Sequence, residues 1–442
     1  MNIRCIACLI ASFLLFTMVC MAQQAAEVAF VQANVIPMDT EHVLEDQTVL
    51  VRGDRIVAVG PANAVDIPEG AVHIDAAGKY LTPGLAEMHG HVPRPEEPAE
   101  ETENVLFLYL ANGITTVRGM LGAPGQLDLR ARANSGAIPA PTLYLAGPSF
   151  SGGSVHSPEE AVAKVKKQKA EGWNLLKIHP GMARDEYDAM AATARELGIR
   201  FGGHVPAEVG LMHAIDQGQE TFDHVDGYVE YLRSVNSDAV DEEALATAIR
   251  HTKEAGAWVV PTMALWEALF GTIDIEELRA YDELKYMPKR IVDSWFGRVN
   301  RQLNDPNFDR AASLRLIDMR MQVLEALHAN GARILMGTDA PQLFSVPGFS
   351  LHRELTRMVD AGMSPYAILE SGTRNVGAYF ANEDEFGVIA PGQRADLLLV
   401  DANPLEDITH LKSLSGVMVR GKWYARAELD ERLEAIAASY AN

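Results

Sequence analysis

Apolar and polar positions follow two rhythms along this chain, and the switch between them marks its domains. From Glu27 to Lys79 they alternate in short runs, "VLVRG" and then "RIVAVG", broken by glycines and by the polar turn region 39–46. Period-two alternation of this kind predicts half-buried antiparallel strands. The same texture returns near the end in "FGVIAPGQRADLLLVDANP" and "GVMVRGKWY". The two stretches most simply form one composite β-sandwich domain from residues 23–80 and 384–426, with "RAELDERLEAIAASYAN" as a terminal helix over 427–442.

Between them short apolar runs alternate with amphipathic stretches of helical length, the pattern of a parallel sheet wrapped by helices. Eight candidate strands stand out: "GLAEMH", "TTVRGM", "TLYLAG", "LLKIH", "RFGGHV", "TFDHV", "WVVPTM" and "RILMGTD". Helices follow most of them. "SPEEAVAKVKKQKAEG" opens on a Ser-Pro-Glu-Glu start signal and closes at Gly172, as helix ends require. Eight strand–helix units predict an α/β fold, a (β/α)8 TIM-type barrel over 81–383, with its active site at the C-terminal strand ends. About 70 residues separate the last two strands, more than a compact connection needs. An inserted helical segment near 268–310 would serve as a lid or substrate wall, or else be an elongated crossover.

Composition narrows the setting. A formal charge of −22 leaves no basic face for phosphate backbones, which excludes nucleic acid as an expected partner. Residues 1–22 read as an export signal: Arg4 gives the positive start, "IACLIASFLLFTMV" the apolar region, and Ala22 the small residue before cleavage. A lipoprotein signal would use Cys20 instead, but Val19 stands where a small residue is wanted. The expected location is therefore the periplasm or the exterior. All three cysteines, Cys5, Cys8 and Cys20, fall in this segment. The mature chain then has neither disulfides nor thiolate ligands, and a metal site must use His, carboxylate and Lys. No later stretch reaches the ~18 apolar residues of a membrane span, and a homo-oligomer is left open.

His89 and His91, in "AEMHGHVP", close the first candidate strand one glycine apart. Side chains at i and i+2 of a strand share a side, so two imidazoles can converge on one divalent metal such as zinc. Later strands end in Lys177 ("NLLKIHPG"), His204 ("FGGHVP"), His224 ("TFDHVD") and Asp339 ("MGTDAP"), each where a barrel keeps its catalytic groups.

With these residues the chain resembles the amidohydrolase superfamily of metal-dependent hydrolases, in its imidazolonepropionase-like and Xaa-Pro-dipeptidase-like branch. The resemblance covers nearly the whole mature chain, through "GDRIVAVG", "PGLAEMHGH", "TTVRG", "GTDA" and "GVIAPGQRADLLLVDANPLEDI". It implies a binuclear centre of two divalent ions, zinc favoured by ligand type. His89, His91 and Asp339 would hold one, His204 and His224 the other, and Lys177, carboxylated by carbon dioxide to a carbamate, would bridge them. An unmodified Lys177 would imply a single metal.

The resemblance further implies hydrolysis by a bridging hydroxide, with Asp339 as general base and then general acid toward the leaving amine. His156, Tyr228, Tyr231 and Arg118 are candidate substrate contacts. The expected reaction is cleavage of an amide bond in a small substrate such as a dipeptide or N-acyl amino acid. Opening of a cyclic amide or lactone would use the same site. A non-catalytic binding or scaffold relative would be marked by missing ligands, and all six are present.

Overall fold

The structure, a computed structural model, describes residues 27–94, 96–236 and 239–441. The export-signal reading of residues 1–22, with the three cysteines, lies outside the described residues.

The alternating N-terminal runs form β1 (Glu27–Val35), β2 (Leu44–Arg52), β3 (Arg55–Pro61), β4 (Val72–Asp75) and β5 (Tyr80–Pro83). The barrel strands follow: β6 (Leu85–Gly90), β7 (Ile114–Gly119), β8 (Thr142–Leu145), β9 (Leu175–Ile178), β10 (Arg200–Gly203), β11 (Thr221–Asp223), β12 (Trp258–Val260) and β13 (Arg333–Ile334). Every one overlaps a run read as a strand above, β6 and β7 each reaching one residue beyond it. The chain then returns through β14 (Leu397–Val400), β15 (Leu414–Val419) and β16 (Lys422–Ala425), and ends in the helix Arg426–Tyr440.

The first and last strands share one sheet in the order β16-β15-β14-β5-β1-β2-β3, with β4 also paired to β1. Four steps separate β1 from β16, roughly 19 Å if the sheet were flat, yet the rings of Phe30 and Trp423 meet edge to face at 5.2 Å. The sheet therefore folds over on itself like a sandwich. Val28, Val49, Leu81, Leu397 and Met418 fill the space it encloses.

The barrel strands are parallel throughout. A bridge between Ala146 and Leu175 joins β8 to β9. On the other side the Met88 N–H donates to the Met336 carbonyl at 2.9 Å, which joins β6 to the chain leaving β13 and completes the ring. Most strands are buried along their whole length, as a sheet covered by helices must be. Ser157 caps the helix Pro158–Glu171 by accepting from the Glu160 N–H. Gly172 ends that helix at φ +85°, a left-handed turn that costs glycine little.

The long connection between β12 and β13 is helical. It runs through Met263–Leu269, Ile275–Arg279, a 3-10 turn at Asp282–Tyr286, and Lys289–Leu303 before the barrel's own helix Arg310–Ala329. Glu354, buried in the helix Leu351–Asp360, pins its start by accepting from the N–H groups of Met263 (2.9 Å) and Ala264 (2.8 Å). Burial pushes the Glu354 carboxyl up to about 7 against those two hydrogen bonds.

A raised folded-state pKa means that Glu354 contributes fully below its unfolded value near 4.5 and loses that contribution as pH rises through about 7. Glu354→Gln is expected to melt below the parent at pH 5, with the gap narrowing by up to about 3 kcal/mol by pH 8. Thermal melts at both pH values check this, and a constant gap would contradict it.

Candidate metal centre

Three neighbouring strand ends use the same backbone device. His224 after β11, Thr262 after β12 and Asp339 after β13 have φ of +69°, +49° and +63°. This left-handed conformation costs a non-glycine residue of order 1–3 kcal/mol, so surrounding bonds must hold it. They do: the His224 N–H donates to the Val260 carbonyl at 2.7 Å, and its own carbonyl accepts from Arg320. The three side chains meet as a result. His224 Nδ1 lies 2.7 Å from Thr262 Oγ1, and His224 Nε2 is 3.7 Å from Asp339 Oδ2.

The histidines of the first strand come to the same point. His91 Nε2 lies 2.5 Å from Asp339 Oδ1, and His89 Nε2 is 3.7 Å from that oxygen. One ligand atom each from His89, His91 and Asp339 can be chosen within 4.8 Å of one another. From β9, Lys177 Nζ approaches His89 Nε2 at 3.1 Å. The imidazoles of His89, His224 and His204 form a chain with centroids 4.3 and 4.5 Å apart, and His179 stacks on His204 at 5.1 Å. All six expected ligands thus share one end of the barrel. Gly203 leaves Lys177 its room: a Cβ there would come 2.6 Å from the Ile178 carbonyl and 3.0 Å from Lys177 Cδ.

Buried and partly buried carboxylates hold this cluster from behind. Asp223 accepts from His89 Nδ1 at 2.7 Å and from Arg118 at 3.1 and 3.3 Å. Asp226 accepts from His204 Nδ1 at 2.7 Å and from Arg320 at 2.9 Å. Each bond places the proton on Nδ1 and turns Nε2, with its lone pair, toward a metal position. Glu87 accepts from the His89 N–H (3.0 Å) and from the Thr338 N–H (2.8 Å) and hydroxyl (2.5 Å). One carboxyl therefore fixes the backbone beside His89 and beside Asp339. Sequence reasoning missed Glu87, Asp223, Asp226, Thr262 and Arg320, although "TFDHVD" carries carboxylates on both sides of His224.

Burial sets the electrostatics. It drives His89 and His224 well below the ordinary imidazole value, with Lys177 and neighbouring imidazoles adding to the effect. Both rings are therefore neutral and able to ligate. Burial likewise brings the Lys177 ammonium down to about 8 against the pull of Asp223 and Asp339, and raises Glu87 to about 8. For Asp223 burial works upward, but Arg118 and Lys177 outweigh it and keep the carboxyl below its usual range.

The residues fit a divalent metal. His224 Nε2 is buried and has no hydrogen-bond partner, a cost a native interior accepts only for a missing partner. Neutral imidazole and carboxylate, with no thiolate, suit zinc and equally manganese or iron.

The expected substrate contacts fare differently. Arg118 is fully buried, with its guanidinium committed to the Met88 carbonyl, Thr221, Tyr379 and Asp223; it supports a ligand rather than reading substrate. Tyr228 is also fully buried, its hydroxyl 2.5 Å from Thr252 in the helix Glu242–Glu254. The helical period after β11 turns it into the outer layer, so it too is no substrate contact. Tyr231 packs half-buried against the main core. His156 is exposed beside the cap of the helix Pro158–Glu171, its N–H bonded to Glu160.

The amidohydrolase family model matches residues 80–424. Adenine deaminase 3 of Rhizobium meliloti is 24% identical over 426 residues, covering 92% of this chain and 59% of that protein. Imidazolonepropionase of Caulobacter vibrioides is 28% identical over 210 residues, 47% of this chain and 46% of that one. The chain thus spans about half the length of the curated relatives it matches. Among solved structures, a bottromycin amidohydrolase superposes with a TM-score of 0.75 at 24% identity, covering 94% of this chain and 91% of the other. A Xaa-Pro dipeptidase with bound methionine does so with a TM-score of 0.69 at 21% identity, covering 90% and 100%.

Removing the carboxylate behind a ligating histidine is expected to weaken zinc binding about 10- to 100-fold. Asp223→Ala should show this in zinc content after dialysis against a calibrated chelator. Parent-like retention would mean that Asp223 is only structural.

Proposed function

We propose that this chain, which belongs to the amidohydrolase family, cleaves the amide bond of a small carboxylate-bearing substrate such as a dipeptide or N-acyl amino acid. The chain is a hydrolase of carbon–nitrogen bonds. The observation carrying the finer reading is the meeting of His89, His91, Lys177, His204, His224 and Asp339 at one barrel mouth, with the buried His224 Nε2 lacking a partner. The bound methionine named for the Xaa-Pro dipeptidase supports an amino-acid product here.

His89, His91 and Asp339 would hold one zinc ion, and His204 and His224 a second. Lys177 would join them as a carbamate. It is fully buried, and no carboxylate of the described residues lies within ion-pair distance of it. Reaction of its neutral amine with carbon dioxide, losing one proton, would replace a cation by an anionic oxygen ligand. Metal ions held here supply a Lewis acid for the carbonyl and acidify water. Asp339 takes the water proton through one carboxylate oxygen and returns it to the leaving nitrogen. His91 Nε2 stands 2.5 Å from Oδ1, where the two would share one metal, while Oδ2 faces His224 at 3.7 Å. The export signal read in residues 1–22 would put the reaction in the periplasm or outside the cell.

A second reading, deamination of an amino-substituted ring, draws on the match to adenine deaminase over 92% of this chain. Ammonia released from adenine, in place of an amino acid released from a dipeptide, separates the two. Ring opening of a cyclic amide or lactone would release no second molecule.

Amine release from dipeptides and N-acyl amino acids by the zinc-loaded protein tests the proposal. Asp339→Asn is expected to lower turnover by about 10²- to 10⁴-fold, and chelation should abolish it until zinc is restored. Silence across the panel from protein holding two metals would overturn the amide reading.

A further inference from the structure

The cavity that His91 lines has a volume of about 320 Å³. One wall comes from the barrel, through Val92, Val105 and Leu121; the other comes from the long connection between β12 and β13, through Met287, Ile291 and Trp295. Both walls are apolar. They are also fixed in place: Trp295 and Met287 are 7% and 5% exposed, and the Trp295 ring packs on Phe344, 5.6 Å away, five residues beyond Asp339.

Two of the polar groups facing the same space are already engaged. Glu101 pairs with Arg290, and Asn104 donates to the Tyr440 hydroxyl at 3.1 Å. Arg94 and Glu97 stand exposed at the opening. A polar substituent seated between these two walls would lose its water and find no polar partner on Val92, Val105, Leu121, Met287, Ile291 or Trp295, which disfavours binding. An apolar substituent would lose only unfavourable hydration.

We propose that this cavity seats a large apolar side chain of the substrate, of leucine or phenylalanine size, next to the scissile bond, with Trp295 as the residue that sets the size preference. The proposal rests on the amide-hydrolysis reading above and deepens it. The long connection then takes part in substrate choice, because it supplies the second apolar wall of the cavity beside the barrel's own.

The test compares glycine, alanine, leucine and phenylalanine as the variable residue in dipeptides and N-acetyl amino acids, using the zinc-loaded parent, Trp295→Ala and Ile291→Ser. Thermal melts confirm folding of each variant, and Ile291→Ser serves if Trp295→Ala does not fold. The parent is expected to favour leucine or phenylalanine over glycine by about 100-fold in kcat/KM, since one missing methylene in an apolar pocket costs ~10-fold or more. Either substitution should reduce that ratio at least about 10-fold, chiefly through KM of the large substrates.

Turnover with no size preference, or a preference that neither substitution alters, overturns the apolar seat and leaves amide hydrolysis standing. Absence of turnover from metal-loaded parent would count against amide hydrolysis instead. In that case calorimetric titration with free leucine and free glycine still decides the seat: leucine binding that Ile291→Ser weakens supports it, and equal or absent binding of the two overturns it.

Discussion

Everything at this site depends on closing the ring between the first barrel strand and the last. The two meet through two backbone bonds, Met88 to Met336 and His91 to Ala340, and through the Glu87 carboxyl, which bonds both His89 and Thr338. Some 250 residues separate those partners in sequence. Without this junction Asp339 would have no fixed relation to His89 and His91, and the three-ligand group would not exist. Gly337 shows how tight it is, since a Cβ there would come 2.9 Å from the His89 nitrogen.

Around that junction the molecule keeps several charges out of water, a costly arrangement that is stable only when each is paired or ligated. Arg118 and Asp223 are both fully buried and answer each other. Asp226, at the start of the helix that follows the same strand, and Arg320 repeat the pattern, and Arg320 also lies over the Trp266 ring at 3.8 Å. The paired carboxylates turn imidazoles; Lys177, without an ion-pair partner among the described residues, and the partnerless His224 Nε2 face the metal positions. Stability and function thus divide the polar interior between them.

The fold and the residues that gather at the barrel mouth were largely legible in the sequence because both rest on local pattern. Period-two and helical runs marked all eight barrel strands, and the strand-end rule singled out His89, His91, Lys177, His204, His224 and Asp339. The supporting residues were not legible in the same way. Arg118 and Tyr228 sit near strand ends and looked like rim residues, yet one faces into the barrel and the other is turned outward by a helix. The direction of a side chain just past a strand depends on backbone turns, such as φ +69° at His224, that no hydrophobic pattern records.

The sequence by itself determined the elements, their order and the chemical types available to a metal, because periodicity and residue identity are properties of short stretches. Tertiary structure alone decided which carboxylate stands behind which imidazole, that Glu87 ties two strand ends together, and that the long connection after β12 brings Trp295 to the cavity that His91 lines. Those are contacts between segments far apart in the chain. They exist only once a closed barrel has fixed every strand end relative to the others.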